Sequence, residues 1–374
     1  MRIVYVQLSP TFGMHQYAAD LANRMSELHE VHLLTTKSFP ADRYAPAVVV
    51  HAPADVMDTG LSRRSLHVDD LGQVVRKLRS LDADVVHLTG PHLWNPILIW
   101  SLRRRCPVIH TLHDLVAHPG SGYGRLLGVW NRIVISLADC ILVHGRRFRQ
   151  ALAIEGFSSQ KLTHLPLLHL CFSHETVVHF LEKNGSDGEQ LGESAPILFF
   201  GRVEPYKGVE ILLDAYARLA DRVQTSDLQL PRLVIAGAGK LTSGRATKLP
   251  ETVTWHNRQI ADEEAARLFR ACSVVVLPYV EASQSAIIGT AYFFGKPVIV
   301  TDTGALPEYV SDGVTGLVVE SGNAVKLANA LAKLVWSPPV AERMGKAARQ
   351  WYDRHRASEY EALVALYENL VGSD

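Results

Sequence analysis

The chain has 374 residues, too long for one ordinary hydrophobic core and enough for two. Its 47% apolar and 20% charged residues are those of a soluble globular protein. With 38 basic against 38 acidic side chains, no overall field draws it to nucleic acid, and no apolar stretch approaches the roughly 18 residues that span a bilayer.

Apolar runs begin at once. Strands are expected over 2–8, 31–35, 47–51, 84–88, 107–111, 140–143 and 162–165. Each is apolar almost throughout and amphipathic segments separate them, the pattern of parallel strands covered on both faces. A strand this early leaves no room for a signal peptide ahead of it. Cys106, Cys140, Cys171 and Cys272 show no Cys-x-x-Cys spacing, and three of them edge apolar runs. That suits a reduced, cytosolic chain without a metal site. Asp82-Ala83-Asp84 spells a metal-binding pattern but stands at the amino end of a strand, where it reads as a surface turn.

After the first strand, Gly13 opens a helical segment and lets a phosphate or sugar approach backbone amides. The run Ile109-His110-Thr111-Leu112-His113-Asp114 ends another strand. His110 alternates into the sheet and packs there; His113 either packs or serves a site. Residues 123–137 carry Leu126, Leu127, Val129, Trp130, Ile133 and Val134 beside Arg125 and Arg132, which fits a buried helix or an interfacial one. The clusters Arg103-Arg104-Arg105 and Arg146, Arg147, Arg149 are solvated faces or contacts for an anionic lipid surface.

A polar, glycine-rich stretch at 184–194 reads as a surface loop or the connection between domains. Beyond it the plan repeats, with strands over 197–200, 233–237, 253–255, 273–278, 297–301 and 316–319. The expected domains are 1–183 and 184–349, with a final helix at 350–374, rich in Trp351, Tyr352, Tyr360, Leu363 and Leu366, crossing back to the first. Doubly wound sheets bind ligands outside the carboxyl ends of their strands, so two of them would place a site in a cleft between domains.

The second half holds the most telling stretch, Gly201-Arg202-Val203-Glu204-Pro205-Tyr206-Lys207-Gly208, directly after an apolar run. Two cations five positions apart at a strand's carboxyl end suit a bound diphosphate, since they offset the charge of a departing group. An exposed, solvated loop is the plainer reading. Gly237-Ala238-Gly239 starts like a dinucleotide fingerprint, but Thr242 breaks it, which leaves a tight strand-to-helix turn. Gly289 to Lys296 is no phosphate loop, because five residues separate its glycines where four are needed and Pro297 follows. Residues 283–287 should open a helix whose free amides bind sugar hydroxyls and phosphate oxygens.

Taken together, 201–208, 233–239 and 275–308 resemble the second domain of retaining glycosyltransferases with the GT-B fold, family 4-like bacterial sugar transferases. The resemblance covers nearly the whole chain and is strongest from 197 to 319. It implies an α/β architecture of two Rossmann-like, doubly wound parallel-sheet domains facing across a cleft. It implies that Arg202 and Lys207 hold the diphosphate, that peptide groups near Gly237 and Ile260 meet the nucleotide, and that amides of Ser285, Ala286 and Ile287 bind phosphate and sugar. His113 matches a histidine that the family places near the transferred sugar, with Gly13 and His15 toward the acceptor. Where the family has two adjacent glycines, this chain keeps Gly13 and has Phe12 in place of the other. Its usual pair of glutamates, eight positions apart, is replaced by Ala282 and Thr290, with Glu281 one residue off, and Ser283-Gln284-Ser285 resembles a variant branch, so the resemblance places Glu281, Ser283, Gln284 and Thr290 on the donor-binding side.

The activity so implied is retaining transfer of a sugar such as glucose from a nucleotide-diphosphate sugar, UDP-linked, to a glycan or lipid-linked acceptor in polysaccharide biosynthesis. Attack occurs on the face that the phosphate leaves, and that phosphate takes the acceptor proton. No metal and no further cofactor is expected, and the cytoplasmic protein would touch the inner face of the membrane loosely. A UDP-sugar 2-epimerase of the same plan and a non-catalytic sugar-nucleotide-binding protein are the rival readings.

Overall fold

A computed structural model describes residues 1–9, 12–55, 67–115, 124–182, 195–224, 228–241 and 249–372. The chain forms two compact units, Met1–Val178 with Ser358–Asp374, and His179–Ala357. The stretch 184–194 lies outside the described residues, as do Thr11, Tyr123, Thr242 and the Arg125 side chain.

Unit 1 begins with β1 (Arg2–Gln7), α1 (Phe12–Met25), β2 (Glu30–Thr36), β3 (Val49–Ala54), α2 (Val68–Ser80) and β4 (Val85–Leu88). It continues through α3 (Asn95–Leu102), β5 (Val108–Thr111), α4 (Gly124–Leu137), β6 (Cys140–Val143), α5 (Arg146–Ile154), β7 (Leu162–His164) and α6 (His174–Glu182), the last of which runs past the unit's boundary at Val178. Its seven strands are parallel in the order β3-β2-β1-β4-β5-β6-β7, so the winding reverses between β1 and β4. β3 starts later than its apolar run suggests, because the Val48 amide closes a turn on the Ala45 carbonyl at 3.0 Å. From β4 to β7 the sheet grows steadily in one direction. Right-handed crossovers therefore stack α3, α4 and α5 on one face. Leu98, Ile99 and Leu102 of α3, Val134 and Ile135 of α4 and Leu152 of α5 meet Val86, Val108 and Ile141 in the core beneath.

A polar column runs through this otherwise apolar unit. Tyr5 Oη lies 3.0 Å from Tyr367 Oη, which lies 2.7 Å from His87 Nδ1. His87 Nε2 meets Thr111 Oγ1 at 2.7 Å, and that hydroxyl is 3.1 Å from Tyr17 Oη. Polar groups this deep cost stability unless paired, and here each has a partner. The Asp84 carboxylate accepts the Arg2 amide at 2.6 Å, at the amino end of the sheet.

Unit 2 contains β8 (Ile197–Phe200), α7 (Val209–Val223), β9 (Leu233–Ala236), β10 (Val253–His256), α8 (Asp262–Ala271) and β11 (Val274–Leu277). Then come α9 (Ile287–Phe293), β12 (Val298–Thr301), β13 (Gly316–Val319) and α10 (Ala324–Val335). Its six parallel strands take the order β10-β9-β8-β11-β12-β13, reversing between β8 and β11. The last helix, α11 (Pro338–Val371), is longer than the 350–374 expected from its aromatic residues: it starts in unit 2 and ends in unit 1. Within unit 1, Tyr367 ties it to the polar column, and Arg24 reaches Glu359 at 3.5 Å and the Tyr360 ring at 4.4 Å.

Candidate active site

In unit 2 the carboxyl ends of four neighbouring strands converge on one edge. Arg202 and Lys207 follow β8, Gly237 follows β9, Ile260 follows β10, and Glu281 to Ile287 follow β11. The winding reverses between β8 and β11, and a reversal of that kind leaves a crevice between diverging loops.

The loop after β8 is built to hold its lysine. Pro205–Lys207 form one tight turn that ends on Gly208 at φ 65°, ψ 25°. A side chain at Gly208 would overlap the Pro278 carbonyl, so glycine lets α7 start directly against the end of β11. The Tyr206 carbonyl receives the Val280 amide at 2.7 Å, which joins the two loops again. Held there, the half-buried Lys207 ammonium donates to Tyr279 Oη at 3.2 Å and stands 4.8 Å above that ring's centre. Tyr279 Oη lies 3.4 Å from Ser285 Oγ in turn. Tyr279 is 1% exposed, and its carbonyl accepts from Thr301 Oγ1 at 2.6 Å and Ser321 Oγ at 3.2 Å, so this relay is rigidly mounted.

Nothing in the sequence singles out Tyr279. An aromatic residue two positions past a strand reads as core, and only the fold brings its hydroxyl between Lys207 and Ser285. Arg202 differs from its partner cation. Its side chain is 69% exposed and its Nη1 pairs with Glu204 Oε1 at 2.8 Å.

The neighbouring loops are tied as well. Gly237 has φ 147°, and a side chain there would overlap the Gly201 carbonyl beside Arg202. Trp255 Nε1 donates to the Gly237 carbonyl at 3.0 Å, and the Gly239 amide donates to Asn257 Oδ1 at 2.9 Å. From the turn at Gly237–Gly239 a bridge joins Gly239 to Val203, and the stretch 242–248 that follows lies outside the described residues.

After β11, the helix expected from 283 begins only at Ile287 and lasts seven residues. Residues 283–286 stay a loop because the Ala305 amide holds the Ser283 carbonyl at 3.0 Å. Ser285 and Ile287 are buried, Ser283, Gln284 and Ala286 half-buried, and Glu281 exposed. Thr290 is fully enclosed and its hydroxyl donates to the Ala286 carbonyl at 3.3 Å, an environment that packs α9 and presents no side-chain oxygen to solvent.

In unit 1, His15 and His113 lie past the carboxyl ends of β1 and β5, and Gly13 stands in the first turn of α1 with open space beside its Cα. His113 Nε2 donates to the Thr89 carbonyl at 2.8 Å, which puts the neutral ring's lone pair on Nδ1. Burial holds its pKa below the ordinary histidine value. The Tyr17 ring packs edge-on against His113 and His144 at 5.1 Å and His169 at 5.8 Å. His15 meets Tyr44 Oη through Nδ1 at 2.8 Å, and burial lowers its pKa to about 4. His110 is buried against Trp130, as its alternation suggested. No group of three or more His, Cys, Asp or Glu among the described residues is placed to hold a metal ion.

Comparison with known proteins fits this architecture on both sides. Residues 12–167 match the glycosyl transferase 4-like domain and residues 195–336 the glycosyl transferases group 1 domain. A D-inositol 3-phosphate glycosyltransferase of Corynebacterium aurimucosum is 31% identical, with 96% of this chain and 90% of that protein aligned. The Kribbella flavida protein of the same name is 27% identical over 90% of this chain and 85% of its own. Among solved structures, sucrose-phosphate synthase from Thermosynechococcus elongatus superposes with a TM-score of 0.74 at 19% identity, covering 100% of both chains. Anabaena HepE, solved with UDP and glucose, gives 0.71 at 16% identity over 99% of this chain and 100% of its own. The chain therefore belongs to the glycosyltransferases of group 1, with the GT-B fold, and is a sugar-transferring enzyme.

Proposed function

We propose that this enzyme transfers a sugar, with retention at the anomeric carbon, from a UDP-linked donor to a glycan or lipid-linked acceptor in polysaccharide biosynthesis. The observation that carries the reading is the mounting of Lys207 on Tyr279 and Ser285, beside Arg202, where the winding of unit 2 reverses. The diphosphate sits against Arg202, Lys207 and the 285–287 backbone, and the nucleotide base against the loop at Ile260. HepE binding UDP and glucose, in the same fold, supports a UDP-linked donor.

As the glycosidic bond breaks, negative charge gathers on the leaving phosphate, and two fixed cations favour that change. The acceptor hydroxyl attacks on the face being vacated and gives its proton to the departing phosphate oxygen. Arg202 and Lys207 supply the positive charge that a divalent metal supplies elsewhere, so transfer proceeds without one. Unit 1, with Gly13, His15 and His113, takes the acceptor. Glu281 faces solvent beside the donor loop and reaches the donor sugar only by turning inward.

The test is a panel of nucleotide sugars screened for binding and slow hydrolysis, with a chelator present. A UDP-sugar turned over under chelation is the expected result. Turnover that stops on chelation and returns with manganese rejects metal independence; release of an epimer without an acceptor rejects transfer. Binding without any turnover would mark a sensor.

A further inference from the structure

The outer surface of the α3–α4–α5 layer has a composition unlike the rest of unit 1. α4 already buries Val134 and Ile135 in the core, with Ala138 just past its end. It carries a second apolar stripe outward: Leu126, Val129, Ile133 and Leu137 are 67%, 60%, 46% and 36% exposed, at spacings of three, four and four. Neighbouring α3 continues it with Ile97 and Trp100, 45% and 65% exposed. A lone exposed leucine means little, but a contiguous apolar patch on two packed helices calls for a partner.

Charge identifies that partner. From Leu93 to Lys161 the sequence holds nine Arg or Lys and three Asp or Glu, a surplus of six positive charges in a chain whose net charge is zero. Arg103, Arg104 and Arg105 are exposed just after α3, Arg132 on α4, and Arg146 and Arg147 at the start of α5. Between α5 and edge strand β7 lies an open cavity of about 510 Å³ lined by Arg146, Arg149, Gln150, Ser159, Thr163 and His164. Arg149 Nε donates to the Leu162 carbonyl at 2.8 Å, which fixes that guanidinium at the cavity. Its scale and donors suit a phosphate-bearing headgroup.

We propose that this layer is a docking surface for an anionic bilayer, with Trp100, Leu126, Val129 and Ile133 entering the headgroup–acyl boundary and the α5–β7 cavity receiving a lipid phosphate. No described helix is long and apolar enough to cross a membrane, so the contact is with its surface. An apolar stripe bordered by arginines is the arrangement that an interface of apolar chains and anionic headgroups rewards. This rests on the lipid-facing part of the function proposed above, and is measured without donor or acceptor so that it can fail while sugar transfer stands.

The full-length protein is sedimented with phosphatidylcholine vesicles and with vesicles that also contain phosphatidylglycerol, at low and high salt. Binding is expected only to the anionic vesicles and should weaken with salt. A Trp100→Ser, Val129→Ser variant should lose about tenfold in partitioning, since two apolar insertions are removed. Arg146→Glu with Arg147→Glu should lose more than tenfold, at about fivefold per neutralised arginine. UDP-sugar binding, read in parallel, should be unchanged in both variants and shows that they fold. No sedimentation at low salt, or equal sedimentation of wild type and both variants, overturns the proposal. So does a concentration-dependent dimer that Val129→Ser dissociates, because a second copy would then own the face. Competition for the face by an acidic protein in place of the vesicles would overturn it also.

Discussion

The two units share one winding and use opposite chemistry at their carboxyl edges. Unit 2 sets cations there: Arg202 in solvent and Lys207 on an aromatic mount. Unit 1 sets imidazoles, with His15, His92, His113, His144 and His169 following β1, β4, β5, β6 and β7 in turn, all of them buried. Of the chain's 17 histidines, 14 fall in unit 1 and 3 in unit 2. A charged edge suits an anionic leaving group. Buried imidazoles and hydroxyls suit a ligand that must be oriented by hydrogen bonds and desolvated.

The contrast breaks most visibly in acid. His15 is lowered to about 4 and His87 and His110 to about 3, in each case chiefly by burial. In the unfolded chain they titrate near 6.5, so below that pH the unfolded state binds more protons than the folded one and stability falls as pH falls. Each such group contributes on the order of a few kcal/mol by full protonation, and three together rival a domain's whole stability. Unit 1 should therefore open before unit 2 as pH drops from 6.5 toward 4. Hydrogen exchange resolved by mass spectrometry reads this directly; simultaneous opening of both sheets would end the comparison.

Next in size is the loss of a mounted cation. Lys207→Ala should lower turnover by about 10²–10³ while the unit stays folded, and Arg202→Ala should do likewise if the diphosphate draws it from Glu204. Near-normal turnover in both at saturating donor removes the site from this edge. Tyr279→Phe deletes only the hydroxyl between Lys207 and Ser285. One such hydrogen bond, with a charged donor, corresponds to about 1.5–3 kcal/mol, so kcat should fall tenfold or more with little change in melting temperature.

Smaller still is Glu204→Gln, which releases Arg202 from an exposed pair worth up to about 1 kcal/mol and should tighten donor binding a few-fold or less. Glu281→Gln is the finest discriminator. If the carboxylate turns to the donor sugar, transfer falls while UDP affinity holds. Equal, small effects on both place it in solvent, where its structure has it.

The sheets were legible because parallel strands buried on both faces are written as short apolar runs, and each expected run, from 2–8 to 316–319, forms a strand. The position of Arg202 and Lys207 past the carboxyl end of a strand was legible too, since they directly follow such a run. What stayed hidden depends on distant partners. Tyr279 looked like core until Lys207 came over it, and α9 looked longer than it is because nothing local announces that the Ala305 amide holds Ser283. Thr290 stands where the family has a glutamate, and its full burial became visible only with α9 packed in place. Val129 and Ile133 read equally well as core or interface, since helical spacing names a face but not what covers it.

The pairing of Tyr5 with Tyr367 spans 362 positions. During synthesis, which proceeds from the amino end, unit 1 is made first yet lacks the helix segment that meets His87 and Arg24 until residue 367 has emerged. Unit 2 has all of its own strands well before then. The nascent chain thus completes its second unit first and closes the first one last, so a ribosome stalled after residue 357 but before residue 367 has emerged would hold a chain with the Tyr5 and His87 column exposed and prone to capture by chaperones.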